Sequence, residues 1–216
     1  MDGKVKYNSE GINYLAIGNS ITLHGICDYW WGRWGMAASS REKDYVHLVT
    51  SYLQSKNDKV FTVPINFSVW ETTATDRFQT LQHLNKYLSN QLDLVTIQLS
   101  ENASDLTTFE QDYKELIAYV KTSCTNAHII VIDDFWDNGA KHTYKLNAAN
   151  ETNVDFISFA DIVGDPTYRS SLGAQVSGDD GNLHVIEHPG VAAHPGDVGM
   201  QYYATKIIEK IEAHNT

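Results

Sequence analysis

The feature that most constrains this chain is the alternation of two hydrophobic periods along its length. Apolar runs near residues 12–18, 59–66, 93–99, 128–133 and 154–159 are short and bounded by polar or turn residues, the form of buried strands. Between them, apolar residues recur at helical spacing: Tyr45, Leu48, Val49 and Tyr52; then Phe78, Leu81, Leu84 and Leu88; then Phe109, Tyr113, Leu116, Ile117 and Val120. Strand and helix in alternation give a parallel sheet covered on both faces, because each crossover helix must bury its apolar stripe against the sheet. At 216 residues, 42% hydrophobic and 20% charged, the chain can bury the core of one such domain spanning 1–216, and no linker or repeat divides it. Residues 161–194 hold Gly, Asp and short apolar pieces such as Leu183-His184-Val185-Ile186, read as a loop with one small hairpin.

Three points along this pattern carry chemistry. The first strand ends abruptly in Gly18-Asn19-Ser20, which delivers a hydroxyl to the carboxyl edge of the sheet, where sites of parallel α/β folds form. The third runs straight into Ser100-Glu101-Asn102, placing a carboxamide at the same edge. Near the C-terminus, His194-Pro195-Gly196-Asp197 precedes apolar residues at Met200, Ala204, Ile207, Ile208 and Ile211, so His194 sits on the loop before a helix. Each alone has an ordinary structural reading as a cap, turn or surface residue.

In this order the three segments resemble the motifs of the SGNH hydrolases, the GDSL esterase and lipase family. Gly18-Asn19-Ser20 matches the family's Gly-Asp-Ser, with Asn in place of Asp; Ser100-Glu101-Asn102-Ala103 matches Gly-x-Asn-Asp, keeping the Asn alone; His194-Pro195 matches the end of Asp-x-x-His-Pro. Asn66 to Thr73 corresponds to the second block and lacks its oxyanion-hole glycine. The blocks span residues 14 to 204. The resemblance implies a three-layer α/β/α sandwich around a flavodoxin-like five-stranded parallel sheet. It also implies acyl transfer to water, with Ser20 as nucleophile and His194 as general base. The Ser20 N–H and the Asn102 side chain would serve as oxyanion donors, with a backbone N–H at Trp70 or Glu71 as a third.

One departure bears on the base. Where the family has an Asp three residues before the His, this chain has Val191, whose side chain cannot accept an N–H. The open alternatives are the Val191 carbonyl or another nearby carbonyl, a carboxylate such as Glu187, or a crippled enzyme. His188-Pro189 imitates the last motif but lacks the Gly199-Met200 and the helix that follow His194.

A dense aromatic segment, His24 to Met36, follows the nucleophile; Trp30, Trp31 and Trp34 are expected to wall the substrate pocket together with Asn19, Glu101 and Trp136. Asp133, Asp134 and Asp137 cluster after the fourth strand, yet no His or Cys lies at ligand spacing and capping explains them, so no metal and no cofactor is expected. A net charge of −11 argues against nucleic acid. No apolar run approaches the ~20 residues of a membrane-spanning helix and no signal peptide stands at Met1. A soluble chain is therefore expected, cytoplasmic or secreted with its export signal removed, its oligomeric state open. Cys27 and Cys124 are expected to be free thiols, Cys124 late in a helix.

The expected function is a serine esterase removing a short acyl group, acetyl above all, from a small-molecule or glycan ester. The family gives the class; the aromatic wall and the lack of a long apolar lid weigh towards a sugar. The alternatives are a lipase, lysophospholipase or thioesterase acting on longer chains, and an SGNH-fold module that binds glycan without hydrolysis.

Overall fold

The computed structural model describes residues 3–137 and 139–214. Strands β1 (Ile12–Gly18), β2 (Val60–Asn66), β3 (Leu94–Gln98), β4 (His128–Ile132) and β5 (Asp155–Ile157) form one sheet in the order β2-β1-β3-β4-β5, every pair parallel. The flanking helices are α1 (Tyr45–Gln54), the short α2 (Ser68–Thr72) and α3 (Arg77–Thr80), α4 (Phe109–Ser123), α5 (Ala140–Thr152), the single turn α6 (Pro189–Ala192) and α7 (Asp197–His214). The result is the expected three-layer α/β/α sandwich with a flavodoxin-like sheet. No helix among the described residues is long and apolar enough to cross a membrane.

Alternation along the buried strands sorts the core into two layers. Tyr14 and Ala16 of β1, with Ile130 and Ile132 of β4, face α1 and α7 and pack with Val46, Val49, Tyr203 and Ile207. Their neighbours Leu15 and Ile17, with Ile129 and Val131, face the other way onto α4 and α5, against Leu116, Ile117, Val120 and Ala148.

Three elements differ from expectation. The run Phe78 to Leu88 is not one helix: α3 ends at Thr80 and a 3-10 turn continues over Leu81–Lys86. Phe78 is 59% exposed while Leu81 and Leu84 are buried, so the segment winds too tightly to present one α-helical face. Helix α5 gave no apolar periodicity because it buries Ala148, Ala149 and a lysine, Lys145, rather than a hydrophobic stripe. Cys124 falls at the C-cap of α4, just beyond the helix, and both cysteines are free thiols. The segment before His194 contains a small antiparallel hairpin, β6 (Gln175–Ser177) with β7 (Leu183–Val185), in the expected place.

The sheet reverses its strand order beside β1, and the chain leaving β1 turns sharply at Gly18. A Cβ there would lie 1.8 Å from Thr22 Oγ1 and 2.9 Å from the Gln98 carbonyl, so the turn that delivers Ser20 requires glycine. The segment after Ser20 is pinned by the start of α1. Asp44, fully buried, caps the helix by accepting the His47 N–H at 2.7 Å and accepts the Gly35 N–H at 2.9 Å through its other oxygen. Asp44→Ala removes the cap and strands a buried N–H. It is expected to lower unfolding free energy by about 2 kcal/mol with an unchanged urea slope; a loss under about 0.5 kcal/mol would refute this account.

Candidate active site

Ser20 and His194, 174 residues apart, meet across the carboxyl edge of the sheet: Ser20 Oγ lies 2.9 Å from His194 Nε2. The other ring nitrogen, Nδ1, is 2.6 Å from the Gly190 carbonyl oxygen. A carbonyl only accepts, so Nδ1 carries the hydrogen and Nε2 presents its lone pair to the Ser20 hydroxyl, the tautomer a general base requires. Of the open alternatives, another nearby carbonyl, that of Gly190, meets the ring, and Val191 and Glu187 do not. The Val191 carbonyl accepts the His194 backbone N–H at 3.0 Å, and Glu187 stands exposed without touching the ring. The turn α6 curls so that the carbonyl one residue earlier, at Gly190, points at the imidazole.

Burial pushes the His194 pKa down to about 4, opposed by the Gly190 hydrogen bond and aided by the nearby imidazoles of His24 and His188. Trp136, at the end of β4, sets its ring edge-on to His194 at 5.1 Å and anchors its indole N–H on the Ala193 carbonyl at 2.9 Å. It thus flanks the ring, where the sequence placed it at the pocket border.

The side of the site where the oxyanion donors are expected is organised by a residue for which sequence reasoning offered only a backbone group. Glu71, in α2 after β2, is 1% exposed. Its Oε1 accepts the Ser100 N–H at 2.6 Å and an Asn19 amide hydrogen at 3.0 Å; its Oε2 accepts an Asn102 amide hydrogen at 2.6 Å. A carboxylate forces both carboxamides to turn their NH2 groups toward it. Asn102 is exposed and spends one amide hydrogen on Glu71, leaving the second for another acceptor. Among the described residues the Ser20 N–H has no acceptor either. The Trp70 N–H is not available as a third donor, because it already donates to the Phe67 carbonyl at 3.0 Å. The Glu71 backbone lies within the same helical turn, so this residue contributes through its side chain.

Asn19 is not a pocket wall. It is fully buried, and its two amide hydrogens go to Glu71 and to Glu101 Oε2 at 2.7 Å, while its own oxygen accepts the Ile21 N–H at 3.0 Å. Glu101 likewise turns its carboxyl inward. Burial first, then the charge of Asp134, raises its pKa to about 8. Beneath it Lys145, fully buried, donates to Ser100 Oγ at 3.0 Å, and burial lowers its pKa against the pull of Glu101 and Asp134. Asp133 and Asp134 spend their oxygens on strand-end N–H groups, those of Phe159, Trp136 and Asp137 among them.

The aromatic segment divides. Trp30 and Trp34 are 0% and 2% exposed and pack edge-to-face at 5.5 Å, so they belong to the core and not to the pocket. Trp31 stays half-buried, stacked on His184 at 4.5 Å. The exposed ring is Tyr29, which the sequence did not single out, stacked on His188 at 4.6 Å.

No protein-family model matches the chain, and no curated protein does. Solved structures do. A two-domain esterase active on acetylated mannans superposes with TM-score 0.60 at 18% identity, over 94% of this chain and 49% of its own. An acetylxylan esterase from Geobacillus stearothermophilus superposes with TM-score 0.60 at 17% identity, over 96% of each chain. Phospholipase A1 from Streptomyces albidoflavus gives TM-score 0.55 at 13% identity, over 93% of this chain and 99% of its own. This chain therefore spans about half the length of the mannan esterase and nearly the whole of the other two. At these identities the likeness is one of fold: the chain has the three-layer fold of the SGNH hydrolases.

Proposed function

We propose that this protein is a serine esterase of the SGNH type that removes a short acyl group, acetyl above all, from a carbohydrate. The observation that carries the reading is the contact of Ser20 Oγ with His194 Nε2 at 2.9 Å while Nδ1 is held by the Gly190 carbonyl. In this reading Ser20 Oγ attacks the ester carbonyl as His194 takes its proton. The oxyanion forms against the Ser20 N–H and the free amide hydrogen of Asn102. The intermediate collapses when His194 returns the proton to the departing alcohol, and a water then attacks the acyl-Ser20 ester by the same path in reverse. Acetylated mannan and xylan are the substrates named for two of the structures sharing the fold, which supports a sugar ester.

Ser20→Ala is expected to lower kcat for nitrophenyl acetate at least about 10⁴-fold, and the wild type is expected to prefer the acetate over the decanoate ester. Wild-type turnover that survives this substitution, or no turnover at all, would remove the esterase reading and favour a binding module.

Asn102→Ala is expected to cost on the order of 10²–10³ in kcat, as for a lost oxyanion donor. Glu71→Gln would set an NH2 against groups that themselves donate, and should lower kcat by a comparable factor while KM moves little. Equal kcat values for wild type and both variants would contradict the assigned roles.

The neutral imidazole is the active form, so activity falls as pH drops through the His194 pKa. With that value near 4, the acid limb of kcat/KM is expected close to pH 4 instead of the ordinary histidine range near 6.5. A limb at 6.5 would show that His194 is better solvated than the geometry implies.

A further inference from the structure

Beside the Ser20–His194 pair lies an open cavity of about 270 Å³ whose lining includes Asp28, Tyr29, Trp31, Glu187 and His188. We propose that this cavity is a subsite for one pyranose ring of an acylated oligosaccharide, an inference that rests on the esterase reading above and names where the sugar sits. The cavity joins the site through one turn of chain. His188 Nδ1 accepts the Gly190 N–H at 3.1 Å, and the Gly190 carbonyl holds His194. On the other wall, Tyr29 neighbours His24 at 6.3 Å, four residues beyond Ser20.

The lining selects the ligand class. Tyr29, 40% exposed, is braced by His188 at an interplanar angle of 26°, and Trp31 by His184 at 6°. His184 is itself held by both oxygens of Asp180 at 3.0 Å. Rings fixed before the ligand arrives lose little entropy on binding, and their negative faces suit the C–H face of a sugar. Asp28 and Glu187 are exposed and make no hydrogen bond or ion pair among the described residues, which leaves both carboxylates free to accept sugar hydroxyls. A hydrocarbon chain in the same place would strip those carboxylates of water without replacing it. A phosphodiester would be repelled by them, on a chain already at −11. The volume lies just under the ~300–1,000 Å³ of pockets that enclose drug-sized ligands, which fits one ring better than an extended acyl tail.

The test separates this proposal from the reading beneath it by measuring binding apart from turnover. The Ser20→Ala protein is titrated by calorimetry with acetylated xylo- and manno-oligosaccharides, alone and combined with Tyr29→Ala, Trp31→Leu or the double variant Asp28→Asn/Glu187→Gln. Each is expected to weaken binding roughly tenfold, the effect of losing one ring contact or the charge of a pair of hydroxyl acceptors. In the Ser20 enzyme, the same changes are expected to lower kcat/KM for the acetylated oligosaccharide relative to nitrophenyl acetate by a similar factor. The double variant keeps the shape of the cavity and decides the matter if an aromatic variant fails to fold. Binding that is absent at millimolar oligosaccharide, or unchanged within twofold in the double variant, overturns the subsite. So does preferential binding of a lysophospholipid. Oligosaccharide binding that responds to these variants in a protein without Ser20-dependent turnover would uphold the subsite and defeat the esterase reading alone.

Discussion

One buried carboxylate ties together the ends of three parallel strands. Glu71 follows β2 and takes hydrogens from Asn19, which follows β1, and from Ser100 and Asn102, which follow β3. Burying a carboxylate is costly unless every lone pair finds a donor, and charge-assisted bonds to backbone and amide N–H groups offset that cost. The arrangement explains two departures from the family motifs at once. A second-block glycine lets a backbone N–H turn inward; here a side chain organises the same corner from the other direction. An Asp at position 19 would face the carboxyl groups of Glu71 and Glu101 with no hydrogen to offer, whereas Asn19 donates to both.

The polar layer beneath follows from the same accounting of charge. Glu71 and Asp134 are buried, Glu101 turns its carboxyl toward them, and the fully buried Lys145 lies among all three. Burial disfavours the charged form of each carboxyl group, and Lys141 Nζ, 3.4 Å from Asp134 Oδ2, brings a second cation to the edge of the cluster. Glu71 has the richest set of donors and Asp134 those of Trp136, Asp137, Ser100 and Lys141, whereas Glu101 has fewer and burial raises its pKa to about 8. The site thus rests on two inward-turned carboxyl groups, and the Ser20 turn is held between them by Asn19.

The strand edges were legible because buried parallel strands are continuous apolar runs, and a run that ends in Gly18-Asn19-Ser20 or Ser100-Glu101-Asn102 announces its own boundary. That His194 would face Ser20 depended on the motif resemblance, not on periodicity. What lay beyond reach was direction. Trp30, Trp31 and Trp34 are the same residue type within five positions, yet two point into the core and one does not, and only the path of the chain around Gly32 and Gly35 decides this. A Cβ on Gly35 would lie 2.3 Å from the Ile21 carbonyl, so the loop folds back on the Ser20 turn itself. Lys145 was equally hidden, since a lysine inside a helical stretch reads as solvent-facing until Ser100 and its carboxylate neighbours surround it. For the imidazole, the choice between the carbonyls of Gly190 and Val191 turns on the curl of a four-residue helix, below the resolution of any sequence pattern.

Replacing the acid of a triad by a carbonyl changes the chemistry in a definite direction. A carboxylate behind the imidazole raises its basicity and stabilises the imidazolium; the Gly190 carbonyl selects the tautomer with only a dipole, so burial prevails and the pKa falls to about 4. A weaker base makes proton removal from Ser20 harder, but the imidazolium that results is a stronger acid. In the proposed reaction that acid must protonate the leaving oxygen. Sugar alkoxides are poor leaving groups, and their expulsion from the tetrahedral intermediate gains most from a ready proton donor. The exchange of a carboxylate for a carbonyl therefore suits an ester of an ordinary alcohol better than an activated one, in keeping with the proposed substrate, whose leaving group is a carbohydrate hydroxyl.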